Sequence, residues 1–375
     1  MLRAYRYELA PTPEQANHLS RICGSVRLVY NLALEAKMQA YAKGVNVNCF
    51  ELMRQLTDLK QECDWLYESP THALQHAISH LDAAFTNFFK KQADFPKFKS
   101  KRKKQSFHIP AGTKVDFDQN LVFLPKLKWV KFHNSRPFTG TIRSSTVSKT
   151  STGRYFVSVL VETGTAVPTK KPVRTDTAVG VDVGIKDFAI LSDGQKIANP
   201  RFLFHALNRL RVEQRTMKRR FKKGTKEQSK NYQKQRRLVA RLHEKVANQR
   251  KDFLHKASTA IVKQYDSICV EDLHIAGMVK TRSLSRSISD VGWGLFKKML
   301  VYKCEWQGKH LLEIGRFEPS SRICATCGWH HKDLQLSDRT WTCANGHMLD
   351  RDVNAARNIK TFGLRTQPLS ANVSH

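Results

Sequence analysis

The spacing at which apolar residues recur changes twice along this chain, and each change limits what can fold beside what. Between 11 and 92 the spacing is helical. Thr12-Pro13-Glu14-Gln15 supplies a capping hydroxyl, a proline suited to a first turn and a glutamine that completes a capping box. Leu19, Ile22, Val26, Val29 and Ala33 then line one helix face, and Leu74, Ala77, Ile78, Leu81, Phe85, Phe88 and Phe89 line a second. The pattern stops at Asp94-Phe95-Pro96-Lys97. From Phe107 to Val161 the period is two, in the pairs Val115/Phe117, Leu121/Phe123 and Leu127/Trp129 and the run Tyr155/Val157/Val159/Val161. Turn residues separate these segments, which predicts a small antiparallel barrel or sandwich. Residues 1–9 (MLRAYRYEL) alternate in the same way, and 168–176 (PTKKPVRTD) read as a linker. Beyond it, AVGVDVG and DFAILSDG predict two adjacent strands, 201–264 a helical hairpin broken at Lys223-Gly224-Thr225, and SICVED (267–272) a buried strand. Strands alternating with helices predict an α/β sheet domain, so the whole reads as a multidomain α/β protein.

Charge narrows the partner. The 375 residues hold 64 Lys and Arg against 32 Asp and Glu, a formal charge of +32, which calls for a polyanion. Residues 209–256 hold 18 of the bases and 4 of the acids, so acidic neighbours cannot pair most of them. A second basic run spans 97–104. The candidate phosphate contacts are Lys101, Arg102, Lys103 and Lys104 in that run, and Lys218, Arg219, Arg220, Lys222 and Lys223 in the hairpin. Residues 280–290 (KTRSLSRSISD) are polar and read as a lid or a plain connecting loop. No stretch is apolar enough for a membrane helix, and MLRAYRYELAPTPEQ has no apolar signal core. A cytoplasmic protein without a membrane partner is expected, and with no coiled-coil seam, a monomer.

Eight cysteines are present. Cys23, Cys49, Cys63, Cys269 and Cys304 are scattered among apolar neighbours and read as buried small hydrophobes. Cys324-Ala-Thr-Cys327 and Cys343-Ala-Asn-Gly-His347 form two knuckles, the spacing of a zinc ribbon. The second knuckle lacks its second cysteine. His347 is the expected fourth ligand, with His330 and His331 as substitutes, and the closed shell makes the zinc structural.

Three carboxylates stand out. Asp182 sits inside the apolar strand Val179-Gly180-Val181-Asp182-Val183-Gly184, Glu271 ends Ile268-Cys269-Val270-Glu271, and Asp352 opens a helix within Asp350-Arg351-Asp352-Val353-Asn354. An acid in a buried strand is costly unless it is paired or holds a cation. Each has an ordinary alternative: Asp182 a turn residue, Glu271 a partner for a basic helix, Asp352 a helix cap. Taken together they suit two divalent ions about 3.5–4 Å apart, and hard oxygen ligands select Mg²⁺ or Mn²⁺.

GVDVGIKDFAILSDG, VEDLHIAGM, ISDVGWGLF and a cysteine ribbon running into LDRDVNAARNI resemble the TnpB (OrfB) family of bacterial insertion sequences, kin to compact type V CRISPR nucleases. GSVRLVYN (24–31) and FPKFK (95–99) match as well, so the resemblance spans nearly the whole chain. One departure is Asn345, which stands where the family's ribbon has its fourth cysteine. The resemblance implies an RNase H-like (RuvC) nuclease domain over 173–319 and 350–363 with an inserted zinc ribbon at 320–349. It also implies a β-barrel wedge over 1–10 and 105–172, a helical recognition domain inserted over 11–104, and a tail at 364–375. The implied activity is RNA-guided cleavage of double-stranded DNA beside a short flanking motif. The guide RNA would come from the transposon end, and the catalytic carboxylates would be Asp182, Glu271 and Asp352. His72, Gln75, Phe107 and His108 are the candidate readers of the motif. An RNase H-like transposase and a non-cleaving RNA-guided regulator remain the alternatives. A transposase with a His-hydrophobic-His metal pair is disfavoured, because no such pair occurs.

Overall fold

The computed structural model describes residues 1–102, 104–225, 227–281, 284–316, 318–335 and 338–366. The chain divides into two compact units, Met1–Ala166 and Val167–His375.

The first unit opens with β1 (Leu2–Leu9) and then three helices, α1 (Pro13–Ala42), α2 (Cys49–Glu62) and α3 (Thr71–Phe89). The capping box on α1 forms as the sequence predicts: the Thr12 side chain accepts from the Gln15 amide, and the Gln15 side chain accepts from the Thr12 amide. Six antiparallel strands follow: β2 (Gln105–Ile109), β3 (Lys114–Asp116), β4 (Leu121–Leu124), β5 (Lys128–His133), β6 (Thr141–Lys149) and β7 (Tyr155–Glu162). They form one sheet with β1 in the order β2-β6-β7-β1-β5-β4-β3. No ladder joins β2 to β3 among the described residues, so hydrogen bonding does not close the sheet into the expected barrel. One apolar core runs through the helices and the sheet, and the helices do not separate from it.

Two expectations fail here. Phe89, placed on the apolar face of α3, is 73% exposed at the helix's last turn. In β4 and β5 the inward residues are Val122, Leu124, Val130 and Phe132, while Phe123 and Trp129 pair on the opposite face. The strand LVFL is apolar on both faces, so alternation alone does not choose its inner one.

The second unit begins with β8 (Ala178–Val183), β9 (Asp187–Leu191) and β10 (Lys196–Ala198). Next come the basic helices α4 (Phe202–Arg220) and α5 (Lys230–Gln264), with Gly224 in the left-handed region between them. After β11 (Ser267–Glu271) come α6 (Ile275–Met278), α7 (Ser285–Val291), α8 (Trp293–Trp306) and β12 (His310–Ile314). The chain then makes a two-stranded ribbon, β13 (Thr340–Thr342) with β14 (Met348–Asp350), and ends its described part in α9 (Arg351–Arg365). The main sheet runs β10-β9-β8-β11-β12, with β8, β11 and β12 mutually parallel. Residues 282–283 of the expected lid and 367–375 of the tail lie outside the described residues. The C-terminal end of the lid is anchored. Ile288 is buried, as is Val291 just beyond it, and the Asp290 carboxylate accepts from Arg250 and from the Leu203 amide.

Helix α9 lies flush against the parallel strands because two glycines let it. A Cβ at Gly180 would stand 1.9 Å from the Ala356 carbonyl oxygen and 2.6 Å from the Lys360 nitrogen, and one at Gly363 would stand 2.6 Å from the Cys269 sulfur. Gly180→Ala therefore has to push the helix off the sheet. We expect it to destabilise the protein by about 3 kcal/mol in urea unfolding, and to misplace Asp182, two residues along β8, against Asp352 in the first turn of α9. An alanine variant as stable as the wild type would show that this close approach is relaxed in solution.

Candidate active site and metal centre

Val181 of β8 is in parallel register with Val270 of β11. The next residues, Asp182 and Glu271, therefore leave neighbouring strands side by side at the carboxyl ends of the parallel sheet, where open α/β sheets bind their ligands. Asp352 reaches the same place from the first turn of α9. All three carboxylates line one cavity of about 390 Å³, together with Glu318, Arg322 and Arg351.

For Asp352 and Glu271 the ordinary alternatives are filled by their neighbours. The cap of α9 is Asp350, which accepts from the Asp352 and Val353 amides at 3.0 and 3.1 Å, so Asp352 is spared that role. Asp272, rather than Glu271, pairs with Lys297 at 3.0 Å and Arg316 at 3.3 Å. Among the described residues the ion pair at Asp352 is a loose one, with the Arg339 guanidinium at 3.7 Å. The result is crowded negative charge. Burial, followed by the nearby charges of Asp352 and Glu271, pushes the Asp182 carboxyl up to about 7. Burial and Asp272 raise Glu271 as well. Carboxylates that share one cavity wall are suited to divalent cations, whose hard-oxygen preference fits Mg²⁺ or Mn²⁺, although among the described residues these three do not draw together within the 4.8 Å that the cysteine cluster reaches.

Two buried amides that the sequence reading passed over frame the cavity. Asn354 and Asn358, four residues apart on one face of α9, both donate to the Ile323 carbonyl, at 2.7 and 2.6 Å. Asn358 also donates to Ser320 at 2.6 Å, and Asn354 accepts from Ala325 at 2.8 Å. They clamp the segment 320–325 between the cavity and the first cysteine knuckle. Two asparagines at helical spacing in VNAARNI were the available signal.

In the ribbon, the sulfurs of Cys324, Cys327 and Cys343 and a ring nitrogen of His347 all lie within 4.8 Å of one another. His347 Nδ1 is 3.2 Å from the Cys343 sulfur and 3.9 Å from that of Cys324. His330 and Asn345 are exposed, and His331 packs between Trp329 and Trp341, so neither substitute histidine joins the cluster. A backbone hydrogen bond from Trp329 lowers the Cys327 thiol to about 6, and hydrogen bonding to Cys343 raises the imidazole of His347. Three thiols and an imidazole gathered over a core of Leu334, Trp341 and Leu349 fit a tetrahedral zinc.

An OrfB profile described as "Probable transposase" matches residues 157–282, "Cas12f1-like, TNB domain" matches 293–359, and "Helix-turn-helix domain" matches 1–45. A Streptomyces pristinaespiralis protein named "Putative RNA-guided DNA endonuclease" is 40% identical over 96% of this chain and 89% of its own length. The chain belongs to the TnpB (OrfB) family. An Escherichia coli K12 relative with the same description is 33% identical over 96% of this chain and 92% of its own length. Among solved structures, the "Cas12f1-sgRNA-target DNA complex" shares the fold, with a TM-score of 0.57 at 15% identity over 93% of this chain and 83% of that one.

The remaining candidates of this TnpB-family chain are spread out. His72 is exposed and Gln75 half-buried at the start of α3. Phe107 is 2% exposed in the core, so its ring cannot read a base: it is the inward residue of β2. His108 points the other way. Its ring stands 4.1 Å from His76, which is 4.4 Å from His80, and its Nδ1 is 3.1 Å from the Thr146 hydroxyl. Lys101, Arg102 and Lys104 are exposed, and Lys103 lies outside the described residues. Lys218, Arg219, Arg220, Lys222 and Lys223 are also exposed, and Arg220 hydrogen-bonds Gln235 across the hairpin at 3.0 Å. Among the described residues no helix is long and apolar enough to cross a membrane.

Proposed function

We propose that this protein is an RNA-guided DNA endonuclease that cuts phosphodiesters at the cavity between β8, β11 and α9. The observation that carries the reading is the meeting of Asp182, Glu271 and Asp352 at the carboxyl ends of parallel strands, in a chain with relatives named for that activity. Asp182, Glu271 and Asp352 would hold two Mg²⁺ or Mn²⁺ ions, which supply a nucleophile from water and charge stabilisation at the leaving 3′ oxygen. Arg322 and Arg351 line the same wall, where they would hold the scissile phosphate. The ribbon would hold one structural zinc through Cys324, Cys327, Cys343 and His347.

In this reading residues 173–319 and 350–363 form the RuvC-like nuclease domain, and the sheet and helices of the first unit serve as wedge and recognition regions. His72, Gln75 and His108 stay as candidates for the flanking motif, and Phe107 is withdrawn. Base pairing by a transposon-end RNA would select the target. The exposed lysines and arginines of 97–104 and of the α4–α5 hairpin would track phosphates.

The test is to sequence RNA that co-purifies with the protein and then present that RNA with a randomised plasmid library. A discrete RNA whose altered guide redirects cutting is expected. Binding should weaken by about 0.7–0.9 log units per log of salt for each phosphate contacted. Cutting that ignores the guide would favour a transposase or an unguided nuclease.

A further inference from the structure

The helical part of the first unit holds a cavity that the proposed cleavage does not use. It has a volume of about 260 Å³ and lies between α1 and the single 3₁₀ turn Asp64–Glu68. That is just below the roughly 300–1,000 Å³ of sites that enclose drug-sized ligands, and so suits one ring system with its substituents. Trp65 lines it with an indole that is 44% exposed.

Arg27 lines it too, half-buried, with no ion pair or hydrogen bond among the described residues. Its neighbour Arg21 is satisfied, paired with Glu68 at 2.5 Å. Glu68 is therefore neutralised, and one positive charge in the wall is left unmatched. A partly desolvated guanidinium without a counter-charge is unfavourable unless something anionic comes to it. Gly24 keeps the way open. A Cβ there would meet only an Arg27 terminal nitrogen, at 3.9 Å, although glycine is a poor residue for the middle of a helix.

We propose that this cavity takes one unstacked nucleotide of the bound nucleic acid, its base against Trp65 and its phosphate on Arg27. The inference rests on the proposed function, because it needs RNA or DNA on this protein. An aromatic face beside an arginine is the pair of groups that holds single-stranded nucleic acid without reading its sequence. An acidic peptide would satisfy Arg27 but would leave the exposed indole without a flat partner. The nucleotide comes from the guide RNA or from an unpaired target strand, and the chemistry of the site is the same for both.

The experiment is equilibrium binding of the co-purified RNA, and separately of target DNA to the RNA-loaded protein, for Gly24→Leu, Trp65→Leu and Arg27→Gln. Gly24→Leu fills the opening while replacing a helical glycine with a better helix former, so its melting temperature should match or exceed that of the wild type. We expect each variant to weaken binding of one of the two strands about tenfold, the effect of losing a stacked base. The double variant Gly24→Leu/Trp65→Leu should be no worse than either single one, because both remove the same contact. The strand that weakens identifies the source of the nucleotide. Unchanged affinity for both strands in variants that melt like the wild type would overturn the proposal even while guided cutting persists. A wild-type protein that retains no RNA and shows no guided cutting would instead overturn the function on which it rests.

Discussion

Replacing Asp182 by alanine is expected to reduce DNA cleavage by a factor on the order of a thousand or more, with RNA and DNA binding nearly unchanged. Asp182 lines the cavity beside the other two acids and feels their charge. Among the described residues it makes no hydrogen bond to the phosphate-tracking surfaces, so its loss should fall on the chemical step alone. The same residue makes a second, independent signature. Its carboxyl titrates near 7 in the folded protein, against about 4 in an unfolded chain. A carboxyl whose folded value is raised favours folding fully below the unfolded value, and that contribution is lost as pH climbs toward the folded value. In chelator, the wild-type melting temperature should therefore fall between about pH 4 and 7 by a few degrees more than that of Asp182→Asn. Added Mg²⁺ should restore the wild type and leave the asparagine variant unmoved. A still-folded Asp182→Ala that loses nucleic-acid binding, or a chelated Asp182→Asn with the wild-type pH profile, would mean that Asp182 does something else.

How far this site could be read in advance depends on the range of the forces involved. Asp182 and Glu271 were legible because an acid in an apolar run is a local conflict that sequence displays directly. The cap of α1 was legible for the same reason, since Thr12 and Gln15 act across a single turn. What stayed hidden depends on contacts distant in the chain. Gly180 looks like any strand glycine until α9, about 175 residues later, lies on it. Asp350 and Asp352 compete for one cap, and only the backbone direction entering α9 gives it to Asp350. Alternation cannot choose the inner face of β4, because both faces are apolar, and only one of the neighbours Phe107 and His108 can face outward, because they lie on opposite sides of β2. The family resemblance supplied the function; periodicity and charge by themselves stop at a basic α/β protein with clustered acids.

Cys324→Ser is expected to cost the ribbon its metal and, through it, the cutting site. Purified wild-type protein should carry close to one zinc per chain. Residues 320–349 bury few apolar side chains of their own, so metal ligation should supply much of their folding energy, on the order of 10 kcal/mol in isolated zinc modules. Cys324 is buried, and its own amide hydrogen-bonds the Trp329 carbonyl at 2.8 Å, so the first knuckle wraps around it. The disturbance need not stop there. Ser320, Ser321 and Arg322 precede that knuckle and line the carboxylate cavity, and Asn354 and Asn358 grip Ile323 from α9. Loss of zinc should thus lower cleavage as well as the melting temperature of this segment, while leaving the first unit's core intact. His347→Ala should behave like Cys324→Ser. His347→Cys should keep the zinc, because a thiolate replaces the imidazole in the same shell. A wild-type protein without zinc, joined to unchanged melting after Cys324→Ser, would reduce the cluster to three ordinary thiols beside a histidine.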